Sequence, residues 1–497
     1  MEEMNTSSPL PFETGGIRPK TPAFPVGKKE ICFFAAILIS SIALCNFIQY
    51  GFNLGFAIAS TTCILSSMLY LYAKGLKGSL YSNTMLILCL AICAAFARSD
   101  DHFVKFVMVC FLMVSINLGL CLTAKRNRYP TGSVATLLDP LLCLFGLGFG
   151  KMSPALSGLK GAFRRSGSFG KKSSSVLLGL AISIPVLAIV LPLLIRAAAA
   201  LDGLIAKLPN FDLPEAIATL LLGIPLSFVL FSRGTALFHT VQNKAPAETA
   251  PRKGLSKLTV NTLLTAICAV YCAYLLSQLA YFVNGFAGIL PVGFTAAEYA
   301  RRGFFEMAWL CAINLGIMVL CVCLVAKDKQ SPKSTRLLSL FIGCTTLFFV
   351  ISAYAKMILY VGIYGLTRLR VLTMVIMTFL AITTVLVSIW LFLPKLPYMK
   401  AVILAALVMG AAVIWSDVDT LVARYNVNAY LSGELESIDL DHLNTLGGGA
   451  VQYIELLGTH APDPGIREAA LAILEESSCE PPTDFRSWNF RESTGKL

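Results

Sequence analysis

The chain has 497 residues, of which 56% are apolar and 14% charged, and its formal net charge is +12. Soluble domains carry about 25% charged residues, so this composition excludes an ordinary water-soluble enzyme, and it also excludes disordered and disulfide-rich secreted chains. The apolar residues stand in blocks of about 20, the length of a helix that crosses a bilayer. The sequence therefore predicts an all-α fold, a polytopic helical membrane bundle.

Eleven transmembrane helices are expected along the chain. The polar residues 1–30 form a cytoplasmic N-terminal segment, which is interpreted as preceding a retained first helix rather than a cleaved signal peptide. Four helices are expected in residues 31–124 and seven in residues 175–416. The expected spans are 31–50, 55–73, 80–97, 103–124, 175–196, 216–232, 258–283, 303–326, 337–360, 371–393 and 399–416.

Prolines and polar side chains interrupt some of these spans. Pro185, Pro192 and Pro225 predict kinks in the fifth and sixth spans. Asn261, Gln278 and Asn314 are expected to join neighbouring helices by hydrogen bonds, because a buried amide in hydrocarbon needs a partner. Most of the 15 cysteines lie within or beside apolar spans and are interpreted as small packing residues.

A basic connection, residues 125–174, separates the two groups of spans. Its apolar run 141–150 is too short to cross a bilayer, so we expect a re-entrant or surface-lying segment. The connection is interpreted either as an inner-leaflet site for anionic lipid head groups or a partner, or as simple topology control. The cations that would make the lipid contact are Lys151, Lys160, Arg164, Arg165, Lys171 and Lys172.

Lysine and arginine are distributed unevenly among the connections between spans. One alternate set of connections carries 26 of them and the other set carries eight. The positive-inside rule places the richer set in the cytoplasm, so the N-terminus is expected inside and the C-terminus outside. Because topology explains the basic excess, no nucleic-acid binding is expected.

The C-terminal segment, residues 417–497, differs in character from the rest of the chain. It holds 14 acidic and five basic side chains, and it is expected to be an extracytoplasmic helical tail. Glycine and proline clusters divide it into short helical stretches. The expected helices are 419–431, 439–446, 449–457 and 465–476.

The connection before the eighth span is a candidate for a charged outer site. Glu298, Arg302 and Glu306 follow one another at four-residue spacing, which permits ion pairs along one helix face. Glu306 is expected about one turn inside the membrane, where a carboxylate needs a partner. Arg302 and Lys356 are the two alternatives for that partner. A ligand site and a structural ion-pair network that anchors the helix entry are both consistent with this pattern.

A second outer connection, residues 361–370, carries two arginines against the topology bias. Pairing with Glu298, with Glu306 or with the acidic tail would explain them, and ordinary interface anchoring is the alternative. Together the two connections define a hypothetical ligand-binding site at the outer face. Its members are Glu298, Arg301, Arg302, Glu306, Lys356, Arg368 and Arg370.

The sequence offers little for catalysis. It has four histidines, shows no nucleophile constellation and has no metal-ligand spacing, so no enzyme activity, cofactor or metal is expected. The leading hypothesis is a protein that binds or senses a ligand, lipid or partner at its outer face. A transporter or channel running past the fifth and sixth spans is the alternative, and a lipid- or envelope-modifying enzyme is the second alternative.

Four motifs point to a known family. They are AAEYARRGFFE at 296–306, YGLTRLR at 364–370, VARYNV at 422–427 and DFRSWNF at 484–490. From about residue 130 to its end the chain resembles a family of bacterial inner-membrane proteins known as a domain of unknown function. The resemblance implies a multi-pass protein of the bacterial cytoplasmic membrane and singles out the two outer connections and the tail. It implies no activity, substrate or cofactor.

Overall fold

The computed structural model describes residues 23–98, 102–165, 213–240, 255–286, 304–325 and 333–476. Helices dominate these ranges. Two clusters of buried side chains organise them, one built mainly from the N-terminal helices and one built mainly from the C-terminal helices and the tail. The helices are α1 Lys28–Ile48, α2 Leu54–Ala73, α3 Leu80–Ala95, α4 His102–Thr123, α5 Met152–Arg165, α6 Leu213–His239, α7 Lys257–Phe286, α8 Phe304–Val325, α9 Lys333–Tyr364, α10 Arg368–Phe392, α11 Tyr398–Trp415, α12 Val418–Leu431, α13 Leu440–Asn444, α14 Val451–His460 and α15 Pro464–Glu476.

The expected spans can be compared directly with these helices. Ten of the eleven coincide with a helix, and the expected span 175–196 lies outside the described residues. Within the described ranges, eight helices are long and apolar enough to cross a membrane, namely α1, α2, α4, α6, α7, α9, α10 and α11, while α3 and the apolar part of α8 are shorter. The protein is therefore a multi-pass helical membrane protein, and the total of eleven stays a prediction.

The N-terminal bundle is formed by α1 to α6. Its centre consists of fully buried apolar side chains, including Ile37, Met85 and Phe231. Apolar residues on the other sides of the same helices, such as Ile39 and Leu69, are exposed. Helices that are apolar on every side are typical of bundles whose outer surface contacts lipid, so this pattern agrees with membrane insertion.

Residues 134–149 form an irregular helical segment, here called the π segment. It starts as a 3-10 turn at Val134–Leu138 and ends as a π-helix at Leu142–Phe149, and the chain then bends by 45° into α5. Such a bent pair is either a broken span or a re-entrant loop, so the expected re-entrant or surface-lying segment stays a prediction. One face of the segment is buried and the other is an exposed apolar stripe of Val134, Leu137, Leu138, Leu141, Phe145 and Phe149.

The C-terminal bundle is formed by α7 to α10, and polar side chains join its helices. The hydroxyl of Tyr271 donates to Asn314 Oδ1 at 2.5 Å, and Asn314 Nδ2 donates to Thr346 Oγ1 at 3.0 Å. The hydroxyl of Thr335 donates to Asn261 Oδ1 at 2.7 Å. Both asparagines therefore connect neighbouring helices, as the sequence predicted.

Helix α11 connects the two cores. Its first residues, Tyr398 and Met399, belong to the C-terminal core, whereas Leu407 and Ile414 belong to the N-terminal core. At its far end the indole N–H of Trp415 donates to the carbonyl of Ala91 in α3 at 3.0 Å. The two groups of helices are therefore packed on a shared element.

The tail, α12 to α15, is helical where the sequence predicted helices. It packs on the C-terminal core through buried apolar residues of α12 and α14, including Val422, Val427 and Leu457. Asp417 at the junction with α11 adopts a left-handed backbone conformation (φ +53°) and caps α12, its Oδ1 accepting from the Thr420 backbone N–H at 3.2 Å. The chain thus turns abruptly from the last span into the tail.

The contact between α1 and α6 yields a test of the packing. A Cβ on Gly223 would lie 2.9 Å from the backbone Cα of Ile42, whereas a Cβ on Gly316 in α8 would meet nothing within 4 Å. Backbone cannot yield as a flexible side chain can, so we expect Gly223→Ala to destabilise the protein by ~1–3 kcal/mol. The thermal unfolding midpoint in detergent measures this. Gly316→Ala is the matched control, and equal effects of both variants would contradict the close approach.

Candidate functional site

Four of the seven predicted outer-site residues belong to the described part of the chain. Glu306 lies in the first turn of α8, Lys356 in α9, and Arg368 and Arg370 in the first turn of α10. The other three lie outside the described residues, namely Glu298, Arg301 and Arg302. The first turns of α8 and α10 and the C-terminal half of α9 thus position the four described residues.

Glu306 and Lys356 are electrostatic neighbours. Glu306 is exposed and Lys356 is half-buried, and the carboxylate lies close enough to attract the ammonium group. Of the two alternatives for a partner of Glu306, Lys356 is the one within the described residues, whereas Arg302 lies outside them. Opposite charges on adjacent helices at this depth stabilise each other where water is scarce.

The side chain of Arg370 caps the C-terminal end of α9. Its Nη1 donates to the carbonyl of Tyr364 at 3.0 Å and also to that of Gly365, and the guanidinium stacks on Tyr360 at 4.2 Å from the ring centre. A cation at this position satisfies carbonyls that have no partner within the helix and complements the helix dipole. Lys356 and Tyr360 are four residues apart, so Lys356 lies on the same face of α9 as the ring that Arg370 contacts.

Arg368 points toward the tail. Its guanidinium forms a salt bridge and hydrogen bond with the buried carboxylate of Asp419 in α12, and Nη2 donates to the carbonyl of Thr445 at 3.2 Å. The acidic tail thus supplies one of the partners that the sequence offered for the outer arginines. A buried carboxylate needs such a charge-assisted contact, because burial without a partner is costly.

A reciprocal amide pair adds a second contact between the same two segments. The backbone N–H of Leu366 donates to Asn426 Oδ1 at 2.6 Å, and Asn426 Nδ2 donates to the Leu366 carbonyl at 2.8 Å. Gly365 precedes this contact with φ +73°, and a Cβ there would lie 2.7 Å from Asn426 Oδ1. Only glycine fits that conformation and that space. Leu366, Arg368, Asp419 and Asn426 are here called the loop–tail clasp.

His442 of α13 stands beside the loop–tail clasp. It is half-buried, and its Nε2 has no hydrogen-bond partner within the described residues. Burial lowers the pKa of its imidazole below the ordinary value of 6.5; the carboxylate of Asp439 raises it, and the nearby guanidinium groups of Arg368 and Arg370 lower it further. The neutral imidazole is therefore the form that the folded tail favours.

Two cations in the N-terminal bundle were not predicted as site residues. The side chain of Lys105 is fully buried, and its Nζ donates to Asn53 Oδ1 at 2.7 Å. Arg233 is 4% exposed and lies within α6. Lys105 stands near the start of the expected span 103–124, and Arg233 directly follows the expected span 216–232. The apolar residues that follow Arg233, Ala236 to Phe238, are the signal that α6 continues past it.

Four of the six proposed lipid-contact cations lie within the described residues and two lie outside them. Lys151 is half-exposed and Lys160 is exposed, Arg164 and Arg165 end α5, and Lys171 and Lys172 lie outside the described residues. The apolar face of α5 packs on the protein, where the Phe24 N–H donates to the Pro154 carbonyl at 3.2 Å. Lys160 therefore faces away from the packed side.

The family of the chain follows from comparison with known proteins. The family described as Domain of unknown function (DUF4153) matches residues 84–457. The chain belongs to this family. Searches of curated proteins and of solved structures found no match. The matched range begins within α3 and includes α4 to α12 with most of the tail, so the loop–tail clasp lies inside the DUF4153 region, whereas residues 484–490 lie beyond it.

The loop–tail clasp can be tested at Asn426. We expect Asn426→Ala to destabilise the docked tail, because it leaves the buried N–H and C=O of Leu366 without partners, at ~1–3 kcal/mol for each group. Hydrogen exchange of the Leu366 amide would then accelerate. Asn428→Ala, an exposed position on the same helix, is the matched control. Equal exchange in the two variants would show that the amide pair does not hold the tail.

The lowered pKa of His442 predicts a pH dependence. Because the folded-state pKa lies below the unfolded value of 6.5, the unfolded state takes up a proton first as pH falls. The contribution of His442 to stability is therefore complete above about pH 6.5 and is lost as pH falls toward the lower folded pKa. We expect His442→Gln to reduce the loss of thermal stability between about pH 7.5 and 5.5. An unchanged loss would contradict this assignment.

Proposed function

We propose that this protein binds or senses a ligand at the outer face of the bacterial cytoplasmic membrane, in a binding role and not a catalytic one. The observation that carries the proposal is the loop–tail clasp, which fastens the tail to the connection between α9 and α10. The clasp makes the tail and the ends of two membrane helices one unit. A ligand that binds one part would therefore act on the other part. Such coupling between two parts is what a sensor requires.

The charge distribution supports the outward placement of this unit. Basic α5 lies beside Phe24, at the end of the bundle where α1 begins, and the acidic tail follows the last span. Cations concentrate on the cytoplasmic side of membrane proteins. The N-terminus is then inside, and the loop–tail clasp is outside.

The Glu306–Lys356 pair is the proposed recognition element, and Lys356 lies on α9, the helix that leads into the clasp. Glu306 is exposed while Lys356 is half-buried, so a ligand that arrives from outside meets the carboxylate first. An anionic group on that ligand would compete with Glu306 for Lys356, and a cationic group would compete with Lys356 for Glu306. Lys356 stands on the same face of α9 as Tyr360, on which Arg370 stacks, so the exchange would reach the start of α10.

The recognition role of Glu306 can be tested by complementation. In a strain that lacks its own copy, we expect Glu306→Gln to reach wild-type membrane levels but to lose rescue of the deletion phenotype, because the neutral amide keeps the shape and removes the charge. Thr373→Val, at a half-buried position of α10 where the hydroxyl bonds only its own helix, is the control and should rescue. Full rescue by Glu306→Gln would exclude a recognition role, and loss of the protein from the membrane would assign Glu306 a structural one.

The outward placement has its own test. A cysteine at Asn428 of α12 should react with a membrane-impermeant maleimide in intact cells, and a cysteine at Lys160 of α5 should react only after permeabilisation. Both positions are exposed, so access and not burial decides the labelling. The protein without the added cysteine corrects for its native thiols. Labelling of both sites from the same side would overturn the proposed topology.

A further inference from the structure

The interior of the N-terminal bundle holds an arginine that has no acidic partner in the described part of the chain. Arg233 is 4% exposed, and among the described residues no carboxylate forms an ion pair with it. Its Nη1 donates to Asn117 Oδ1 at 3.1 Å and its Nη2 to Ser67 Oγ at 3.2 Å. Both acceptors are neutral. A guanidinium carries five N–H donors, so most of its capacity is not used by these bonds.

The two acceptors are fixed so that they orient the guanidinium. Asn117 Nδ2 donates to the carbonyl of Met113 at 2.6 Å, which leaves its oxygen to face Arg233. The hydroxyl of Ser67 donates to the carbonyl of Cys63 at 3.0 Å, which leaves its lone pair to accept. Arg233 Nε has no hydrogen-bond partner in the described part of the chain, although it is buried. The site therefore presents an oriented cation with an unused donor.

The position of the cluster in the bundle is well defined. Ser67, Asn117 and Arg233 each stand six residues before the last residue of their helix, which is roughly 9 Å at 1.5 Å per residue. All three helices end on the side where α1 begins. His239 at the end of α6 stacks on Phe24, and Lys74 after α2 pairs with Glu30 of α1. Arg126 after α4 donates to the carbonyl of Leu237 in α6. That depth lies within reach of the head-group region of the adjoining leaflet.

The π segment covers the α6 side of this cluster. A Cβ on Gly148 would lie 3.0 Å from Val229 Cγ1 and 4.0 Å from Arg233 Cβ. The hydroxyl of Ser232 donates to the carbonyl of Leu147 at 3.1 Å. The rest of the segment exposes an apolar stripe, and π-helical turns are frequent at functional sites. A displacement of the segment would therefore open the arginine to the lipid side of the bundle.

We propose that Arg233, oriented by Asn117 and Ser67, is the binding site for a phosphate oxyanion within the N-terminal bundle, beneath the π segment. A buried charge is stable only with a counter-charge and matching hydrogen bonds, and an intramembrane arginine marks a ligand or ion site. The planar guanidinium fork matches phosphate oxygens. The oxyanion comes either from a lipid head group or from soluble phosphate. This site is separate from the one proposed at the outer face.

The test is ligand-dependent stabilisation of the purified full-length protein in a non-ionic detergent. The probes are inorganic phosphate, dioctanoyl phosphatidylglycerol, and dioctanoylglycerol as the lipid without an oxyanion. A ligand that binds the folded state raises the unfolding temperature. We expect a rise with phosphate, with phosphatidylglycerol or with both, and no rise with dioctanoylglycerol. A rise with only one probe identifies the source of the oxyanion.

Variants locate the effect. We expect the rise to disappear in Arg233→Gln, to be reduced in Arg233→Lys, which keeps the charge but loses the planar fork, and to persist in Lys105→Gln, the matched buried cation at the other end of the bundle. Absence of any rise in the wild type overturns the proposal without recourse to a variant. A full rise in Arg233→Gln, an equal loss in Lys105→Gln, or a rise with dioctanoylglycerol overturns it as well. If Arg233→Gln does not fold, Arg233→Lys decides.

Discussion

The constraint on which this structure depends is that a membrane interior cannot hydrate a charge. Ionised side chains are therefore placed near helix ends, where a partner on a neighbouring helix is available. Glu30 in the first turn of α1 forms a salt bridge with Lys74 at the end of α2. At the opposite end of α1, Tyr50 donates to Glu215 in the first turn of α6 at 2.5 Å. Polar contacts thus fix α1 against α2 at one end and against α6 at the other. The apolar residues between these contacts pack along the length of α1.

The same constraint explains how the tail is attached. The last span ends at Trp415, and the chain reverses at Asp417. The tail then returns along the connection between α9 and α10, where Asp419 is buried against Arg368 and Asn426 replaces a backbone partner for Leu366. An acidic tail and an arginine-bearing connection are complementary, and Arg368 finds the partner for its charge in the tail. The charge contrast between the tail and the membrane part therefore contributes to docking of the tail.

Much of the architecture follows from the sequence, because a helix that satisfies its own backbone in hydrocarbon needs about 20 apolar residues, and such blocks are visible without tertiary information. The pairing of polar groups is not visible in this way. Whether Glu306 meets Lys356 or another cation depends on helix packing, so the sequence could only name alternatives. Asn426 was recognisable as part of a motif, but its contact with Leu366 joins positions 60 residues apart. Arg233 directly follows the expected span 216–232, where a charge is ordinarily a loop charge, and only its three-dimensional neighbours place it inside the bundle.

The contrast between the two arginine environments suggests different roles for the two ends of the molecule. Arg368 has a carboxylate, so its charge is used within the fold to hold the tail. Arg233 is bonded to an amide and a hydroxyl, which orient a cation without neutralising it. A neutral pair of acceptors is a poor solution for stability alone, since an apolar side chain of similar volume would avoid the desolvation cost. The arrangement is better explained by an oriented charge that is kept for an external anion. Helix α11 packs in both cores. Anion binding at Arg233 and ligand binding at the loop–tail clasp would therefore both act on helices that belong to a core shared with α11.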